Sequence, residues 1–83
     1  MKINLRIELA SGETKDVVAT AADMVAFERE FELSIASLEK TAKLTHLLYL
    51  AWSSEHRRKA TAKSFDEWVE EVDGISYGDA DPK

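Results

Sequence analysis

Apolar and polar side chains alternate strictly near the start of the chain. In the stretch 2–9, four aliphatic side chains share one face and four polar ones the other; the aliphatic ones are Ile3, Leu5, Ile7 and Leu9. Alternation with period two predicts a half-buried strand. Gly12 can supply the positive φ of a tight reversal, and residues 14–19 are a weaker second strand. We therefore expect a β-hairpin that packs on other elements, because a lone hairpin is marginal in water.

Helical periodicity replaces this alternation further along the chain. Met24, Phe27 and Phe31 recur at spacings of three and four, which predicts a helix over residues 21–31. Thr20 and the aspartate three residues later resemble a capping box at its start.

A second, longer helix is expected from Ser34 or Ser37 to about Arg58. Its segment 47–52 (Leu-Leu-Tyr-Leu-Ala-Trp) is apolar on most sides, which predicts a central element contacted from more than one direction. The run is too short to cross a bilayer.

The start of a third helix is marked by a capping box, Ser64 with Glu67. Apolar side chains follow at i, i+3, i+4 and i+7, which predicts a helix over roughly residues 65–73. Gly74 is placed to end it in a left-handed conformation. We expect the remainder, 75–83, to be a mobile acidic tail.

These elements predict an α+β fold in which an N-terminal two-stranded β-hairpin packs on about three α-helices. We expect a single domain over residues 1–74 and a flexible acidic tail over 75–83. A chain of 83 residues buries roughly 60–65% of the surface that its unfolded form exposes, so the core is small.

Composition argues against catalysis. The chain contains no cysteine, which excludes a disulfide framework, a thiolate zinc site and a cysteine nucleophile. His46 and His56 are ten residues apart, whereas metal chelation from one helical face needs a spacing of three or four. No serine stands in a glycine-flanked nucleophile elbow, and the three glycines form no phosphate-binding loop. We expect no enzyme activity, no cofactor and no metal.

The net charge of −5 is concentrated at one end of the chain. Residues 1–63 have a balance of +1, whereas residues 64–83 have a balance of −6. An acidic end repels phosphate backbones, so we expect no nucleic-acid binding. Solubility and attraction of a basic protein partner remain alternative roles for this acidity.

The location of the protein is predicted from two patterns. The first residues alternate where a signal peptide has a continuous apolar block, and no apolar run reaches the length of a membrane span. We therefore expect a cytoplasmic protein without a membrane partner.

The chain is rich in large apolar side chains for its size. Aromatic and aliphatic residues recur in all three predicted helices in addition to the hairpin. Either all of them are internal, or some form an exposed patch for a partner or for self-association. The sequence leaves both interpretations open.

The order of these pieces resembles the small tail assembly chaperones of long-tailed bacteriophages and prophages, especially those of actinobacterial hosts. The likeness covers most of residues 1–73. It lies in the alternating strand with its glycine turn and in four further segments: Ala-Asp-Met-Val-Ala-Phe-Glu (22–28), Leu-Leu-Tyr-Leu-Ala-Trp (47–52), His-Arg-Arg (56–58) and Ser-Phe-Asp-Glu-Trp-Val (64–69).

This resemblance implies a non-catalytic assembly factor. Such chaperones bind the long, aggregation-prone tape measure protein in the host cytoplasm while the tail tube polymerises, and they are absent from the mature virion. The family often makes a longer, frameshifted form, and it has no catalytic residues to transfer. We expect a cleft beside the central helix to receive the apolar, helical client, with Leu48, Trp52 and Trp68 as partner-binding anchors.

A second hypothesis belongs to a different class. The chain would be a small acidic regulatory adaptor, for instance an inhibitor that mimics nucleic acid through its last twenty residues and acts on a basic protein. Binding by such a mimic falls steeply with salt, whereas a chaperone for apolar helices is salt-tolerant.

Overall fold

A computed structural model describes residues 2–39 and 43–78 of the chain. It shows a small α+β fold with a three-stranded antiparallel sheet and three α-helices. The elements, in chain order, are β1 (Ile3–Leu9), β2 (Thr14–Ala19), α1 (Ala21–Phe31), a 3₁₀ helix (Ile35–Glu39), α2 (Leu44–Arg57), α3 (Phe65–Val69) and β3 (Val72–Tyr77).

The predicted hairpin is confirmed. β1 and β2 pair antiparallel with Leu5 opposite Val17, and Gly12 has the left-handed φ of 100° that the turn requires. Leu5 and Ile7 are fully buried on the core face, as the alternation predicts. On the opposite face the Arg6 Nε donates to the Asp16 carboxylate at 2.9 Å.

The prediction of a two-stranded sheet is wrong, because β3 pairs antiparallel with the other side of β1. The sheet order is β2-β1-β3. Gly74, predicted to end a helix, lies in β3 opposite Glu8, and residues 75–77, predicted to be tail, belong to the same strand. Residues 79–83 of the predicted tail lie outside the described residues.

The third helix is shorter than predicted for a physical reason. Its capping box forms, since the Glu67 N–H donates to the Ser64 Oγ and the Ser64 N–H donates to the Glu67 carboxylate. The helix nevertheless ends at Val69. Beyond it, Val72, Ile75 and Tyr77 have high strand propensity although Asp73 and Gly74 do not, and pairing of this segment with β1 overrides the helical spacing.

The second predicted helix is divided in two. Residues 35–39 form the 3₁₀ helix, and α2 begins at Leu44 instead of Ser34 or Ser37. Lys43, directly before α2, has extended backbone angles, which interrupts a continuous helix. The Glu28 carboxylate accepts the Ile35 N–H at 2.7 Å and so fixes the entry to the 3₁₀ helix. The predicted end, near Arg58, agrees with the observed end at Arg57.

Helix α2 is the central element, as predicted. It contacts β2, β3, α1 and α3, and its Leu50 and Ala51 are fully buried. The Ser54 hydroxyl donates to the Val18 carbonyl of β2 at 2.8 Å, which ties the helix to the sheet. The core therefore lies between one face of the sheet and α2, with Phe27 of α1 closing one side.

Candidate functional site

The three predicted partner-binding residues occupy different environments. Leu48 and Trp68 belong to the core and are only 8% and 4% exposed. Trp68 Nε1 donates to Glu55 Oε1 at 3.3 Å inside the protein. Trp52 is half-buried, and its Nε1 donates to the Lys63 carbonyl at 2.9 Å. Among the three, Trp52 therefore offers a partner the most accessible side chain.

The half-buried rings of Tyr49, Trp52 and Phe65 form a cluster that we call the Trp52 patch. The Tyr49 and Trp52 ring centroids are 5.6 Å apart, and those of Trp52 and Phe65 are 5.9 Å apart. The exposed His56 ring lies 4.8 Å from Trp52. Burial, together with the negative charge of Glu30, raises the pKa of the Tyr49 hydroxyl above its usual value. The Trp52 patch thus presents neutral aromatic surface.

A buried carboxylate joins the start of α1 to α2. The Asp23 side chain is fully buried, and it accepts hydrogen bonds from Arg57 Nη2 at 2.9 Å and from the Ser53 hydroxyl at 2.8 Å. The Thr20 N–H donates to the same carboxylate at 2.9 Å, which confirms the predicted capping interaction. Burial alone raises the pKa of Asp23, but these bonds, foremost that from Arg57, outweigh it and hold the pKa below its usual value. These hydrogen bonds from Thr20, Ser53 and Arg57 link the start of α1 to α2.

A second buried carboxylate, Glu55, is also fully engaged. Lys15 Nζ of β2 lies 3.1 Å from it, and Trp68 donates to its other oxygen. The adjacent cavity of about 390 Å³ is bordered by a further ion pair, Lys63 with Glu71. Each carboxylate is therefore paired with a lysine. Through Glu55, the contact with Lys15 joins β2 to α2, and the contact with Trp68 joins α3 to α2.

The two histidines lie apart, as the sequence predicts. His46 is buried against the rings of Phe27 and Phe31, at centroid distances of 5.1 and 4.9 Å. Its Nδ1 has no hydrogen-bond partner within the described part of the chain. No group of three or more potential metal ligands occurs among residues 2–39 and 43–78.

An open cleft of about 410 Å³, which the sequence did not predict, lies at the end of β3. We call it the apolar cleft; it is lined by Lys2, Ile3, Met24, Ile35, Ala36, Leu38 and Tyr77. Among the residues that line the cleft, Tyr77 is 60% exposed, whereas Met24 and Leu38 are buried. The sequence signal for it was the strand propensity of Val72, Ile75 and Tyr77, which the competing helical spacing concealed.

No helix in the described residues has both the length and the apolar character that a bilayer crossing requires. Comparison of the chain with family models, with curated proteins and with solved structures gives no match in any of the three.

Proposed function

We propose that this chain is a non-catalytic tail assembly chaperone of a long-tailed phage or prophage. It would bind the tape measure protein in the host cytoplasm, keep it soluble during tail tube assembly, and be absent from the finished virion. The resemblance in the order of sequence segments supports the specific role. The structural observation that supports polypeptide binding is the Trp52 patch, where three half-buried aromatic rings meet.

The chemistry of the patch suits reversible binding of an apolar helix. Aromatic side chains contribute large contact areas at low conformational-entropy cost, and they are enriched at the centres of protein interfaces. Because the Trp52 Nε1 is already bonded to the Lys63 carbonyl, the ring is held in place before a client arrives. Affinity of one copy is modest in this proposal, and many copies along one long client supply avidity.

Co-expression with fragments of a tape measure protein tests this role. We expect the chain to keep a fragment in the soluble fraction and to co-purify with it. Trp52→Ala should abolish co-purification, while Trp52→Phe, which keeps an aromatic ring, should retain most of it. Leu44→Ala is the matched control, because Leu44 is a 61% exposed side chain on the same helix.

For Leu48 and Trp68, which are buried, the same experiment must be combined with a measurement of folding stability. Leu48→Ala and Trp68→Ala remove core side chains, so we expect lost co-purification to accompany a lowered melting temperature. Undiminished binding by folded variants of all three positions would reject the proposed surface.

The acidic adaptor remains the second candidate, supported by the exposed acids Asp66, Glu67, Glu70 and Asp73. Ionic strength separates the two functions. Binding to a basic protein weakens steeply as salt is added, whereas contacts through the Trp52 patch are salt-tolerant.

A further inference from the structure

Strand β3 has an edge that faces away from the rest of the sheet. The Gly78 N–H donates to the Asn4 carbonyl at 2.9 Å, which makes this pair a hydrogen-bonded one. Antiparallel pairs alternate, so Ser76 also bonds toward β1, while the N–H and C=O groups of Ile75 and Tyr77 point away from it. These outward groups are a template for one more strand.

The apolar cleft lies on the side of this edge where new side chains would go. Tyr77 pairs with Leu5 and Ile75 pairs with Ile7, so their side chains share the core face of the sheet. Tyr77 itself lines the cleft, together with Ile35 of the 3₁₀ helix. A strand added beside β3 therefore places every second side chain on the face that carries Ile75 and Tyr77, and the cleft lies at the Tyr77 end of that face. The volume of about 410 Å³ is in the usual range for binding sites.

The charged residues near β3 indicate which kind of segment could bind at its edge. Glu70 and Asp73 are exposed next to and within β3. A second copy of the chain carries the same net charge of −5, and a net charge of this size opposes self-association. The chain's own residues 79–83 (Asp-Ala-Asp-Pro-Lys) carry no large apolar side chain to fill the cleft. A segment with basic residues complements these acids at the start of β3, whereas Lys2 lines the cleft at the end of the strand.

We propose that the edge of β3 and the apolar cleft bind an extended segment of another protein by strand addition. The segment has alternating apolar side chains and basic flanking residues. Backbone hydrogen bonds to Ile75 and Tyr77 supply affinity, and the cleft selects the alternate side chains. This site is distinct from the Trp52 patch and does not depend on a role in tail assembly.

The first test uses a capped peptide, Lys-Lys-Val-Thr-Val-Thr-Val-Lys-Lys, titrated against the full chain. A strand presents alternate N–H groups to its neighbour, so only one set, that of the valines or that of the threonines, contacts β3. We expect N-methylation of one set to weaken binding by at least about tenfold and methylation of the other to change it less than about twofold. Equal loss from both sets, or no binding of the unmodified peptide, overturns the proposal.

The second test changes the protein at Tyr77. Tyr77→Ala and Tyr77→Pro both remove the ring, but only proline also removes the outward N–H. Proline is tolerated at an edge position whose N–H faces away from the sheet, so both variants should fold. We expect the proline variant to bind the peptide at least about tenfold more weakly than the alanine variant. Equal affinities of two folded variants overturn strand addition.

A third test checks the charge assignment and the competing occupant. A peptide with glutamate in place of the four lysines should bind more weakly, and the difference should shrink as ionic strength rises. Tighter binding of the glutamate peptide contradicts the proposal. Sedimentation of the chain alone should show a monomer; a dimer that Tyr77→Pro dissociates would assign the edge of β3 to a second copy instead.

Discussion

The two outer strands of the sheet flank the same central strand, but their free edges differ. On β2, the outward Val18 carbonyl accepts the Ser54 hydroxyl, and Lys15 reaches the buried Glu55. Within the described part of the chain, no side-chain hydrogen bond or ion pair joins residues 72–77 to a helix. The β2 edge is thus fastened to α2, whereas the β3 edge keeps outward backbone groups beside an open apolar cleft. On β2, a side chain of α2 thus occupies one outward backbone group, the Val18 carbonyl.

The largest effect on the free energy of unfolding is expected where β2 contacts α2. Glu55→Ala removes the acceptor of the Trp68 indole N–H and the partner of Lys15. We expect it to lower the free energy of unfolding by about 2–3 kcal/mol, because a buried donor is left unsatisfied. Denaturant unfolding followed by tryptophan fluorescence measures this. Glu55→Gln, which keeps an acceptor for the indole, is the control and should lose less; equal losses would show that the Trp68 contact contributes little.

Ser54→Ala tests the fastening of the β2 edge directly. The change removes one oxygen at a fully buried position and leaves the Val18 carbonyl without its donor. We expect a loss of about 1–2 kcal/mol in the free energy of unfolding. Ser76→Ala, at an exposed position of β3, is the matched control and should change stability by less than about 0.5 kcal/mol. Similar losses from both variants would remove the distinction between the two edges.

The Asp23–Arg57 pair, which joins α1 to α2, makes the stability of the fold depend on pH. The folded-state pKa of Asp23 lies below its ordinary value of 3.8, so its contribution to stability is present above that value. The contribution is lost as pH falls from about 5 through the folded-state pKa. Unfolding measured against pH should show this decline, and Asp23→Asn should flatten it. An unchanged pH profile in that variant would show that other carboxyl groups cause the decline.

The smallest effect on the free energy of unfolding is expected at the edge of β3. Tyr77 is 60% exposed, so Tyr77→Ala should lower the free energy of unfolding by no more than about 0.5 kcal/mol. Thermal and denaturant unfolding measure this. A much larger loss would mean that the ring supports the fold, and its exposure would then be no argument for binding.

The hairpin and α1 were predictable because local signals agree with tertiary packing there. Alternation from Ile3 to Leu9 and the spacing from Met24 to Phe31 each allow one interpretation. β3 was missed because Val72 fits both the helical spacing of α3 and a strand. The choice depends on pairing with β1, which is distant in sequence.

The candidate sites depend on the same long-range information. Trp52 lies in the segment 47–52, which is apolar on most sides, and Trp68 lies in the apolar stripe of the third predicted helix. The sequence does not distinguish the half-buried ring from the core one. Their indole N–H groups donate to the Lys63 carbonyl and to the Glu55 carboxylate, contacts that helical spacing does not predict. The apolar cleft requires β3 beside the 3₁₀ helix, and neither element was predicted.

Amide hydrogen exchange with and without the lysine-flanked peptide tests most directly whether the open edge of β3 is a binding site. We expect the peptide to slow exchange at Ile75 and Tyr77 and to leave the outward amides of β2, at Asp16 and Val18, unchanged. Slower exchange at Asp16 and Val18 instead, or no change at Ile75 and Tyr77 when the peptide is bound, would contradict this account of the two edges.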